Sequence, residues 1–149
     1  MKAEPALLPA YRRVVIDTNV LLSAALLPDS VPARLLDRIL SQGALVFSEK
    51  TFAELETRIW KPKFDRYLSI ERRQQLLHDF NASALWVDVP AEIRQRHSRD
   101  PDDDKLIHAA QTAGVTRLIS GDDDLLCLHP FGGIEIITPR MACDEIGLP

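Results

Sequence analysis

The sequence predicts an α/β fold in which a mostly parallel sheet of about five strands is covered by helices on both faces. Apolar runs of strand length alternate with segments of helical period from residue 14 onward. Glycine, proline and serine punctuate the junctions between them. With no internal repeat and no linker, 149 residues suit a single core.

Residues 1–10 read as a flexible N-terminal tail, and 11–149 as one domain. The expected strands are 14–16, 44–47, 86–89, 117–120 and 134–137. Leu35, Leu36, Ile39 and Leu40 form a helical stripe, with Pro32 near its start and Gly43 after its end. Ser48 suits the N-cap of the next helix, where Phe52, Leu55 and Ile59 recur, and Pro62 ends it. Ser69 suits the cap of a third helix that buries Leu76, Leu77, Phe80 and Ala84. A fourth starts near Asp103, buries Leu106, Ala109, Ala110 and Ala113, and stops at Gly114. A short last helix follows Pro139.

The chain is 46% hydrophobic and 27% charged, as expected for a soluble globular protein. A net charge of -4 argues against a basic protein that coats nucleic acid. It leaves room for a nuclease in which a metal meets the phosphates. Cys127 and Cys143 form no C-x-x-C pair and read as small buried hydrophobes in a reducing cytosol. Neither a signal peptide nor a run long enough to span a bilayer is visible, so a cytoplasmic protein without membrane contact is expected.

Asp17 ends the apolar run Val14-Val15-Ile16. A buried strand that ends on an acid places a carboxylate at the C-terminal edge of the sheet, where open α/β sheets bind ligands. Asp122 to Asp124 follow the fourth strand and share that edge. The helix that starts near Asp103 and Asp104 begins there, as does the helix carrying Glu54 and Glu56. Pairing of the first and fourth strands would put the switch point of the topology among these acids. Carboxylates about 4 Å apart repel by roughly 4 kcal/mol per pair at an effective dielectric near 20. They need protons or a cation, and an oxygen-only donor set favours Mg²⁺ or Mn²⁺ over Zn²⁺.

Each acid also has a purely structural reading. Asp102 and Asp103 suit a helix start, and position alone leaves Asp104 open between capping and ligation. Asp122 and Asp124 suit a turn or the N-cap of Leu125-Leu126. Glu54 sits roughly 130° from the centre of the Phe52/Leu55/Ile59 stripe on a helical wheel, and Glu56 lies closer to it. His108 is one turn from Asp104 and reads as a surface or packing residue.

Four segments together resemble the PIN-domain nucleases: Val14 to Ser23 with Asp17, Phe52 to Phe64 with Glu54, Asp100 to Ala110 with Asp104, and Ser120 to Leu126 with Asp122 and Asp124. Lys61-Pro-Lys-Phe and Ser120-Gly-Asp-Asp-Asp-Leu-Leu are most similar to the subgroup described as toxins of bacterial toxin–antitoxin pairs. The resemblance implies a Rossmann-like, three-layer α/β/α sandwich and a Mg²⁺- or Mn²⁺-dependent endoribonuclease that cleaves with metal-activated water. It implies Asp17, Asp104 and Asp124 as the main metal carboxylates, with Glu54 completing the catalytic acids and Asp122 a further ligand. Thr18, Asn19 and Ser120 match supporting polar positions that orient the acids.

An RNA substrate, a cognate antitoxin and a homodimer are the expected partners. Arg58, Lys61, Lys63 and Arg66 are candidate RNA contacts, and Arg94, Arg96 and Arg99 form a second basic run. Trp60, Phe64 and Tyr67 suit packing better than base stacking. Two alternatives stay open: a catalytically silent PIN-fold binding module and a non-toxin PIN nuclease of RNA processing. A hydrolase with an aspartyl nucleophile is disfavoured, because Asn19 stands where that class has a second Asp.

Overall fold

The computed structural model of the chain describes residues 6–149. In order, the elements are β1 (Arg13–Ile16), α1 (Thr18–Leu26), α2 (Val31–Gln42), β2 (Ala44–Phe47), α3 (Glu49–Ile59), α4 (Ile70–Ser83), β3 (Leu85–Trp86), α5 (Pro101–Ala113), β4 (Arg117–Ile119), α6 (Asp123–Leu126), β5 (Glu135–Ile137) and α7 (Pro139–Ile146). The sheet order is β3-β2-β1-β4-β5, and each neighbouring pair is parallel. β1 and β4 are therefore neighbours, and the direction of winding reverses between them.

Alternation along the strands divides the core into two layers. Val14, Ile16, Leu45, Phe47, Ile119 and Ile137 pack with residues of α1, α2, α3, α4 and α7. Val15, Val46, Leu118 and Ile136 pack on the other face with Leu106, Ile107, Ala109 and Ala110 of α5 and Leu125 of α6. This is the three-layer α/β/α arrangement.

Local chemistry sets most boundaries. Ser48 and Thr51 cap α3 reciprocally, each side chain accepting the other's backbone N–H. Ser69 caps α4 through the Arg72 N–H. Gly114 ends α5 in the left-handed conformation at φ 67°. At Gly43, just before β2, the chain passes so close to the residues leading into β1 that a Cβ would lie 2.9 Å from the Arg12 carbonyl oxygen.

Several expectations need correction. Within the span 1–10, expected as a tail, Leu7 is buried, its N–H donates to Gln42 Oε1, and Pro9–Tyr11 form a 3-10 turn. Residues 1–5 lie outside the described residues. The third strand is Leu85–Trp86, not 86–89, although the Val87 N–H still donates to the Phe47 carbonyl. Helix α1 was not expected. Thr18, Val20, Leu21, Leu22 and Ala24 are buried, so its apolar residues form no stripe for periodicity to detect. Helix α5 begins two residues before Asp103, capped by Asp100 through the Asp102 N–H. Cys127 is exposed, whereas Cys143 is buried as expected, and both are free thiols. No helix among the described residues is long and apolar enough to cross a membrane.

Candidate functional site

Asp17 is the N-cap of α1 and is buried at the C-terminal end of β1. The Asn19 N–H donates to its Oδ1 at 3.3 Å, and the Ser120 hydroxyl donates to its Oδ2 at 2.7 Å. Ser120 Oγ in turn accepts the Asp122 N–H at 3.0 Å, and Asp122 Oδ1 accepts the Asp124 N–H at 3.0 Å. Asp122 is thus the N-cap of α6, the structural role that the spacing allowed. One hydrogen-bonded chain ties the acid after β1 to both acids after β4. Replacing Ser120 by Ala would leave the buried Asp17 oxygen and the Asp122 N–H short of a partner. The expected cost is about 1–3 kcal/mol in urea unfolding and a tenfold to hundredfold weaker Mn²⁺ affinity by calorimetry.

Carboxylate oxygens of Asp103, Asp122 and Asp124 lie within 4.8 Å of one another. Asp103 carries the marks of an uncompensated cluster. Burial, a hydrogen bond with Asp122 and the charges of Asp122, Asp100 and Asp17 push its carboxyl up to about 8 from the usual 3.8. Asp17, Asn19, Asp122, Asp123 and Asp124 share a cavity of 690 Å³. An all-oxygen donor set whose own repulsion retains a proton fits a hard divalent cation.

Asp104 was expected among the metal carboxylates. Its Oδ1 accepts the His97 N–H at 3.1 Å, the Ser98 N–H at 2.8 Å and the Ser98 hydroxyl at 2.9 Å. It pins the segment before α5, and the structure brings Asp103 to Asp122 and Asp124 in its place. Neighbouring helical residues point about 100° apart, so one helix start serves both purposes. Asp103, read from the sequence as a capping acid, has its carboxylate beside those of Asp122 and Asp124.

Glu54 is better covered than its wheel position indicated. Its Oε1 pairs with Arg58 at 2.5 Å, and its Oε2 faces Lys105 of α5 at 3.8 Å. Burial raises its pKa against the pull of these two cations. Glu56 is exposed. Arg58 also donates to Asn19 Oδ1 at 3.1 Å, joining the second motif to the first. Thr18 is buried but donates to no acid among the described residues. Lys61 lines the cleft beside Glu54, and Lys63 and Arg66 do not. His108 Nε2 lies 2.7 Å from the Gln95 carbonyl oxygen, a packing role. Phe64 is core, and the Arg73 guanidinium sits over Trp60.

The family model described as PIN domain matches residues 13–124. Uncharacterized protein MJ1680 of Methanocaldococcus jannaschii is 31% identical over 119 residues, covering 78% of this chain and 75% of its own. The structure of PAE2754 from Pyrobaculum aerophilum superposes with a TM-score of 0.63 at 15% identity, covering 92% of this chain and 96% of that one. VapBC2 from Rickettsia felis, bound to a DNA fragment from its promoter, superposes at 0.57 with 14% identity, covering 85% and 98%. FitAcB from Neisseria gonorrhoeae gives 0.56 at 22% identity over the same shares. The matched residues run from the first residue of β1 to the last acid of the cluster, and on that match the chain belongs to the PIN domain family.

Proposed function

We propose that this protein is a Mg²⁺- or Mn²⁺-dependent endoribonuclease and the toxin of a cytoplasmic toxin–antitoxin pair. PIN domains are in general nucleases. The observation that carries the reading is the hydrogen-bonded run Asp17–Ser120–Asp122–Asp124, with Asp103 closed against it.

Asp103, Asp122 and Asp124 would hold the cation, with Asp17 beside them. When bound, such an ion neutralises charge on the phosphate and activates water for phosphodiester hydrolysis. The protein's own groups do the rest. Ser120 fixes the face that Asp17 presents, and the Asn19 N–H holds its other oxygen. Arg58 holds Glu54 and Asn19 in one cluster, and Lys105 shields Glu54 from Asp102, which it meets at 3.6 Å. Asp103 retains a proton against Asp122 in the metal-free protein.

An antitoxin partner and a homodimer belong to this proposal. Support comes from the toxin-like motifs and from the fold shared with VapBC2 and FitAcB. Purified protein should cut single-stranded RNA internally in Mn²⁺ or Mg²⁺ and stop in EDTA. Cleavage that persists in EDTA would sink the metal reading. Growth arrest on expression, relieved by the neighbouring gene's product, is the expected sign of the toxin role. Unhindered growth would remove that role and leave the nuclease.

A further inference from the structure

Two cavities adjoin between α3 and α5. One, of 660 Å³, is lined by Glu54, Arg58, Lys61 and Asp102. The other, of 580 Å³, runs past Val87 and Val89 to Arg94, Arg96 and His108. Lys50, Ala53, Pro101 and Lys105 line both, so together they form one trough. Its inner end meets the acidic cavity, because Arg58 donates to Asn19 and Asn19 lines the cavity of Asp17 and Asp122.

Charge divides sharply between the two regions. The acidic cavity has no lysine or arginine in its lining. The trough has Lys50, Arg58, Lys61, Arg94, Arg96 and Lys105. Its acids are Glu49, Glu54, Asp88, Asp102 and Asp104. Arg58 and Lys105 pair with Glu54, Lys105 also pairs with Asp102, and the donors of His97 and Ser98 occupy Asp104. Among the described residues, Lys50 and Lys61 meet no carboxylate. Arg94 and Arg96 donate to the carbonyl oxygens of Val89 and Arg99, which leave their charges uncancelled. Four cations therefore stand against Glu49, Asp88 and Asp104, in a chain whose net charge is -4. Between the cations the lining is apolar, with Ala53, Val87, Val89 and Pro101.

We infer that this trough is the track for a single-stranded RNA running out of the acidic site, with Lys50, Lys61, Arg94 and Arg96 on successive phosphates. The inference rests on the ribonuclease reading and adds a footprint to it. Spaced cations with apolar surface between them suit a strand whose bases are unpaired. A divalent ion at one end and lysine and arginine at the other would share the backbone charge of one chain.

The test is the Lys50→Ala/Lys61→Ala/Arg96→Ala variant, read by anisotropy of a labelled single-stranded RNA in EDTA over a range of salt. Affinity should fall at least about tenfold, and the salt slope should shrink by about 2, at roughly 0.7 per lost phosphate contact. Mn²⁺ affinity and hydrolysis of bis(p-nitrophenyl) phosphate, too small to reach the trough, should match the parent and show that the variant is folded. Unchanged RNA affinity and slope would overturn the track. So would an acidic peptide that binds through these cations while RNA does not. If Asp17→Asn stops the small diester while the triple variant keeps its RNA affinity, the nuclease stands and the track falls. If no diester is cut but the triple variant loses RNA, the track stands as a binding surface and the nuclease falls.

Discussion

Asp17→Asn should reduce RNA cleavage by at least about a hundredfold while the protein stays folded. The two halves of that expectation have separate physical grounds. The carboxylate has two engaged oxygens, one accepting from the Asn19 N–H and the other from the Ser120 hydroxyl. An amide keeps its oxygen for the Asn19 N–H and remains a good N-cap. Its NH₂ would face Ser120 Oγ, which can accept as well as donate. Shape and capping survive, and what disappears is one negative charge among Asp103, Asp122 and Asp124. A labelled RNA incubated with Mn²⁺, alongside a urea melt of both proteins, reads the two halves independently. Cleavage within about threefold of the parent, at unchanged stability, would remove Asp17 from the reaction.

The second large effect concerns stability in the absence of metal. Asp103 titrates near 8 in the folded chain against an ordinary 3.8. Between those values the folded state keeps a proton that the unfolded state has released. Stability from this group is therefore fully present below about pH 4, falls as pH rises, and levels off above about 8. The steepest slope is at most about 1.4 kcal/mol per pH unit. Thermal melts in EDTA should show Tm dropping by several degrees from pH 5 to 8, at ~2–4 °C per kcal/mol for a chain of this size. Asp103→Asn should flatten that profile, and excess Mg²⁺ should restore the parent's stability at pH 8. A Tm that rises over this range in the parent, or the same fall in the Asn variant, would show that the proton resides elsewhere.

Much of this was legible in the residues. Strands announced themselves as Val-Ile-Leu runs, caps as Ser48 and Ser69, and the stop of α5 as Gly114, because each depends on local chemistry alone. Asp17 was legible for the same reason, as an acid that ends a buried run. Helix α1 was not, since a segment buried on most sides leaves no period to read. The choice between Asp103 and Asp104 was also out of reach. It depends on where the chain of His97 and Ser98 passes, and no spacing within the motif encodes that path. Glu54 illustrates the reverse case: a wheel shows how a helix faces its own sheet, while its cover comes from Lys105 on another helix.

The bond from Ser120 to Asp17 spans 103 positions of the chain. Strands β1 and β4 must pair before that bond can form, which makes the acidic centre a late product of folding. During synthesis, Asp17 emerges long before Ser120, Asp122 and Asp124. A nascent chain, or any fragment cut before β4, therefore carries the first motif without a functioning centre. For the ribonuclease proposed above, this order would leave the centre unassembled while the chain is still being made.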